Sequence, residues 1–102
     1  MPLRVLNTAM GGSAFHEGIL FAVDFENGPN VPEDLSQLTR LVRSSTGEVS
    51  EGVLQRNPET GGPRLVFGFS PGEARFAEFR VQLRAADGSA LTEVWLYRWT
   101  AV

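Results

Sequence analysis

The sequence contains no cysteine and no lysine, and only one histidine, His16. Without cysteine, disulfides and thiolate metal sites are excluded, and the redox compartment cannot be read from the chain. All nine basic residues are arginine against twelve acids, a net charge of -3. That balance argues against nucleic acid as a partner, because so few cations cannot offset a polyanion. The lack of lysine reads as composition bias more than as a binding device. No apolar run is long enough to span a membrane. The N-terminal MPLRVLNTAMGGSAF lacks the basic start and long apolar core of a secretory signal. What remains is 102 residues, 42% hydrophobic and 21% charged, an ordinary balance for one globular domain with a single core.

Residues 80–99, RVQLRAADGSALTEVWLYRW, organise the rest. Two strand-like runs, 79–85 and 91–99, flank Asp87-Gly88, a strong hairpin signal. In the first run Phe79, Val81, Leu83 and Ala85 alternate with Arg80, Gln82 and Arg84, so one face is buried. In the second, Leu91, Trp95, Tyr97 and Trp99 share one face, with Glu93 the single interruption. A two-residue loop would pair Val81 with Val94 and turn the aromatics outward. A three-residue loop over 86–88, with Gly88 left-handed, would pair Leu83 with Leu91 and Phe79 with Trp95. A one-residue slip flips every side chain, so the loop decides whether the aromatics are core or surface. Burying two Trp and a Tyr is worth several kcal/mol, which favours the three-residue loop. Trp99, close to the end of the sequence, is left open between core and surface.

Upstream, PLRVL at 2–6 allows a short edge strand, but the following NTAMGGSAFHEG is rich in small residues and breakers, so residues 1–18 read as a flexible arm. Residues 19–25, ILFAVDF, form a strand with Ile19, Phe21, Val23 and Phe25 on one face. The stretch 26–34 is a loop punctuated by Gly28, Pro29 and Pro32. For 36–45 a short helix competes with a strand. The Thr46-Gly47 turn and the following EVSEGVLQ favour a strand closed into a hairpin. NPETGGP at 57–63 is a turn, and RLVFGFS at 64–70 is a half-buried strand with Leu65, Phe67 and Phe69 inward. Five or six strands with a turn signal about every ten residues make an all-β fold, an immunoglobulin-like antiparallel β-sandwich over 19–102.

Catalytic chemistry has little to build on. His16 has only Glu17, Asp24 and Glu26 near it in sequence, and a lone histidine beside acids is more often solvated than a metal ligand. A glycosidase needs two carboxyls opposed across a cleft, roughly 5 to 10 Å apart, which a small sandwich seldom provides. Glu48 and Glu51, and Glu33 with Asp34, therefore read as solvated faces and loop caps. Glu93, within the aromatic row, reads as a partner for an arginine such as Arg80 or Arg64. No phosphate loop, nucleophile elbow or zinc-protease pattern occurs, and neither cofactor nor metal is implied.

The order of motifs carries a resemblance. FAVDF (21–25), STGEVSEGVLQRNPETGGPRLVFGF (45–69) and EFRVQLRAADGSALTEVWLYRW (78–99) resemble the C-terminal domain of the periplasmic glucan biosynthesis proteins, the OpgG/OpgD (MdoG/MdoD) family. The likeness covers residues 19–102; residues 1–18 are not placed by it, and Pro63 stands where the family tends to have an aromatic. It implies a periplasmic location and a part in making osmoregulated periplasmic glucans with a β-1,2-linked glucose backbone. It also implies two β-sandwich domains, a large N-terminal one bearing the cleft and any catalytic acids, and a smaller immunoglobulin-like one corresponding to this chain. No catalytic residue carries over, and the chain is expected to be a shortened product or a small freestanding relative.

The expected role is that of a non-catalytic module packed on the N-terminal domain of the same parent. Arg80, Arg84, Glu93, Arg98 and Trp99 are the candidate residues for an interdomain or glucan-binding surface. Two rivals remain. A stand-alone carbohydrate-binding module would hold β-1,2-glucan on exposed aromatics. A protein-interaction module would dock a membrane glucosyltransferase through an apolar patch.

Overall fold

The computed structural model describes residues 2–12 and 18–101. His16, the one histidine considered as a metal ligand, lies outside the described residues. The strands are β1 (Val5–Gly12), β2 (Ile19–Phe25), β3 (Thr39–Ser44), β4 (Glu48–Val49), β5 (Val53–Arg56), β6 (Pro63–Ser70), β7 (Phe76–Arg84) and β8 (Trp95–Thr100). They form two antiparallel sheets, the all-β sandwich expected from the strand pattern. One sheet runs β1-β2-β6, with β4 and β5 both pairing the far side of β6; the other runs β3-β7-β8.

The core lies where alternation placed it. Phe21, Val23 and Phe25 of β2, Leu65, Phe67 and Phe69 of β6, and Phe79, Val81 and Leu83 of β7 are buried between the sheets. The rings interlock, Phe21 stacking on Phe67 at 5.3 Å between centroids and Phe69 meeting Phe79 edge-on at 4.7 Å. Burying these five phenylalanines contributes on the order of 10 kcal/mol against an exposed chain.

Three local readings differ from the sequence expectation. Val5–Gly12, within the stretch read as an arm, is an edge strand paired with β2 from Val5↔Phe25 to Gly12↔Ile19. An edge strand needs only backbone partners on one side, so its alanine and glycines conceal it from a pattern search. Just before it, Leu3 makes a parallel bridge to Thr92, so the N-terminal segment touches the second sheet before joining the first. Thr46-Gly47 is not a hairpin turn. It carries the chain from β3 in one sheet to β4 in the other. Gly47 has a φ of +70°, and a Cβ there would meet the Phe69 ring and the Ser70 carbonyl, each at 2.7 Å, so the crossover passes too close to β6 for a side chain. The strand expected over 48–55 is split at 50–52, where the Ser50 hydroxyl accepts from the Gly68 N–H at 2.9 Å in place of a backbone carbonyl. In the preceding segment a single 3-10 turn, Leu35–Gln37, capped by Asp34, leads into the favoured strand β3.

Candidate functional site

The terminal hairpin decides which side chains reach the surface. The Ala85 N–H donates to Ser89 O at 2.8 Å and the Gly88 N–H to Ala85 O at 2.9 Å, enclosing the three-residue loop 86–88. Gly88 sits at φ +88°, the left-handed position that such a loop requires. The pairing beyond the loop differs from the expected one. Phe79 lies opposite Tyr97 and Val81 opposite Trp95, a shift of two residues. The shift arises at 91–94. Leu91 and Thr92 both donate to Leu83 O, at 3.0 and 3.3 Å, while the Glu93 N–H turns away to Leu3 O at 2.8 Å. Thr92 replaces the missing ladder acceptor with its own side chain, Oγ1 accepting from the Leu83 N–H at 3.1 Å. It is fully buried and also donates to Glu93 O at 2.8 Å. Gln82 adds a bond from Nε2 to Thr92 O at 3.0 Å.

Because the slip is two residues, the buried face is preserved. Trp95 is buried, its indole N–H donating to Thr8 Oγ1 at 2.9 Å, and it stacks on Tyr97 at 5.2 Å. Tyr97 and Trp99 are half-buried against the core, Trp99 meeting Phe69 edge-on at 5.2 Å. The aromatic row therefore points inward and offers no flat stacking platform for a sugar.

The outer face of the β3-β7-β8 sheet carries the even-numbered side chains of β7 and β8 and the odd-numbered ones of β3. In register across it stand Arg43, Arg80 and Leu96 in one row, Glu78 beside Arg98 in the next, and Phe76 opposite Thr100 at the end. Leu41 faces Gln82, and Thr39 faces Arg84. Leu96 is 67% and Phe76 44% exposed. The Arg98 guanidinium lies over the Phe76 ring at 5.2 Å. Glu78, Leu96 and Arg98 border a shallow hollow of about 270 Å³.

Of the five candidate residues, the fold brings Arg80, Arg84 and Arg98 onto this face. Arg84 Nε donates to Gln82 Oε1 at 3.1 Å, which holds its side chain along the sheet. Trp99 faces the other way, into the core. Glu93 does not pair with an arginine; its Oε2 accepts from the Val5 N–H at 2.7 Å and fastens the start of β1. Arg64 instead pairs with buried Asp24 at 2.6 Å on the other sheet, a bond that holds its guanidinium pKa above the usual value. Sequence reasoning missed Arg43, Leu96 and Phe76. Alternation in 91–99 already marked Leu96 as outward, but only the β3-β7 register sets Arg43 beside Arg80.

Elsewhere the outer face of the larger sheet has an open groove of about 570 Å³, whose apolar lining includes Leu20, Val49, Val53 and Val66. Among the described residues no group of three His, Asp or Glu could hold a metal ion, and no helix is long and apolar enough to cross a membrane.

Comparison with known proteins adds a family to this geometry. A family model described as "Periplasmic glucan biosynthesis protein, MdoG" matches residues 2–99, including the N-terminal stretch that the sequence resemblance did not place. A glucans biosynthesis protein G from Vibrio cholerae serotype O1 is 40% identical over 81 residues, covering 79% of this chain and 14% of that protein. The protein of the same name from Rhodopseudomonas palustris is 42% identical over 81 residues, covering 79% and 16%. That from Shewanella frigidimarina is 36% identical over 85 residues, covering 79% and 14%. The chain thus spans about one seventh of the length of these curated relatives.

Proposed function

Since the chain belongs to the periplasmic glucan biosynthesis protein family of MdoG, we propose that it is a non-catalytic C-terminal β-sandwich module of a periplasmic protein that takes part in making osmoregulated glucans with a β-1,2-linked backbone. In this reading it packs on the N-terminal, glucan-binding domain of the same parent through the outer face of β3-β7-β8. The observation that carries it is the composition of that face: exposed Leu96 and Phe76 set among arginines. Arginine and large apolar or aromatic side chains are what protein interfaces concentrate. The small share of each relative that the chain covers leaves ample polypeptide to supply the partner surface.

The stand-alone carbohydrate-binding reading loses its main support, because Trp95, Tyr97 and Trp99 pack toward the core. An NMR titration of this chain with linear β-1,2-gluco-oligosaccharides separates the two. The packing module predicts no saturable movement of the Trp95 and Trp99 indole signals at millimolar sugar; saturable shifts there would establish sugar binding by the chain alone and refute the proposal. Hydroxyl-radical footprinting tests the packing directly. Leu96 and Phe76 should be oxidised readily in this chain and protected in the full-length parent.

A further inference from the structure

Strands β3, β7 and β8 contain five arginines and a single carboxylate, Glu78, although the whole chain is net negative at -3. Four of those arginines, Arg43, Arg80, Arg84 and Arg98, stand on the outer face. Arg40 sits opposite buried Leu83 and belongs to the other side. That leaves five arginines against eleven acids for the rest of the chain, so the charge is separated between this face and everything else. Arg43 lies directly opposite Arg80 on the neighbouring strand. Like charges directly opposite destabilise a sheet, so the isolated module carries a local cost at this row. Among the described residues the ion pairs within 4.0 Å are Arg4 with Glu26 and Arg64 with Asp24, neither of which involves the face. A row that weakens its own sheet and has no internal counter-charge is expected where an outside group relieves it.

We propose that the surface docking here is an acidic protein surface, with carboxylates that meet Arg43 and Arg80 and an apolar side chain that enters the hollow beside Leu96. This inference rests on the packing reading above and adds the chemistry of the partner, which is the remainder of the parent polypeptide. A protein is favoured over a polyanionic glycan because Leu96 and Phe76 interleave with the arginines. A hydrated glycan would leave those apolar surfaces wet, whereas a protein desolvates them and sharpens the charge pairing around them.

Arginine reactivity and radical footprinting, applied to this chain and to the full-length parent, test the inference. Phenylglyoxal modification of Arg43 and Arg80 should be about tenfold slower in the parent at low salt and should recover largely in about 1 M NaCl, where exposed charges are screened within about 3 Å. The double variant Arg43→Gln/Arg80→Gln should expose Leu96 to oxidation in the parent, and leave the urea midpoint of the isolated chain unchanged or raised. If Leu96 and Phe76 are protected while the arginines react equally in both proteins and salt has no effect, the packing reading stands and the acidic partner is wrong. If neither the apolar residues nor the arginines are protected, the face is free and both ideas fail. Heparin serves as a polyanionic-glycan probe. Should it protect the arginines of the isolated chain as well as the parent does, with Leu96 still oxidised, the face is a polyanion site and the protein partner is overturned.

Discussion

Replacing Thr92 with valine should lower stability by about 2 kcal/mol, and the reason lies in one hydrogen bond. Thr92 is fully buried, and its hydroxyl oxygen accepts the Leu83 N–H where β8 has departed from the ladder. Valine keeps the shape but removes the acceptor, leaving a buried backbone donor unpaired, which costs about 1–3 kcal/mol. The Glu93 carbonyl also loses the hydroxyl donor, but that bond is only part-buried, so its loss adds less. For a chain of this length about 2 kcal/mol corresponds to a fall of roughly 10 °C in Tm. Thr92→Ser is the control. It keeps the hydroxyl and loses one methyl group, worth about 1 kcal/mol with its small cavity. Urea unfolding of the three proteins should therefore rank wild type above serine and serine above valine, and the Leu83 amide should lose more protection in the valine protein than in the serine one. A valine variant as stable as the serine one, with Leu83 still protected, would show that the hydroxyl does not support the register shift.

Arg56 offers a second test. Its guanidinium donates to Gly61 O at 2.7 Å, Pro32 O at 2.9 Å and Glu33 O at 3.1 Å, tying the long β2-β3 loop to the β5-β6 turn. Arg56→Met should cost about 1 kcal/mol, since water compensates at this exposed site, and should make the loop near residues 30–34 more sensitive to limited proteolysis; unchanged cleavage there would refute the tie. The third concerns pH. Bonds from the Ser89 side chain and backbone hold the Asp87 carboxyl below its ordinary pKa, and Ser36 does the same for Asp34. The folded state then binds fewer protons than the unfolded one. The stabilisation is present above the unfolded pKa and is lost as pH falls through the lower folded value. In NMR titrations both carboxyls should have midpoints below ordinary aspartate, and Ser89→Ala should raise that of Asp87; no movement would sink the assignment.

Legibility followed burial. Strands β2 and β6 were readable because both end up central, with one face against the core, so Phe21, Val23, Phe25 and Leu65, Phe67, Phe69 alternate without interruption. Strand β1 was not, because at an edge its small residues carry no apolar alternation, and its contacts inward, Val5 on the core and Thr8 with the Trp95 indole, leave no pattern in the sequence. Thr46-Gly47 looked like a hairpin because a turn signal reports a reversal of direction, not which sheet the next strand joins. At the candidate surface, the outward direction of Arg80, Arg84 and Arg98 was legible from alternation. Glu93 was misread as an arginine partner because its true partner, the Val5 N–H, is eighty-eight positions away.

The terminal hairpin divides the two kinds of information most clearly. Residues 79–99 alone favour a three-residue loop with Gly88 left-handed, and with it a shared face for Phe79, Val81, Trp95 and Tyr97. Which residues stand opposite one another was settled by Leu3, which draws Glu93 out of the ladder, and by Thr92, which fills the gap. Side chains in a strand alternate with a period of two, so a two-residue shift leaves the pattern unchanged and no reading of that pattern can detect it. The face of each residue is therefore local information. Its neighbour across the sheet, and with it the pairing of Arg43 with Arg80 and of Arg80 with Leu96, exists only once distant segments have met.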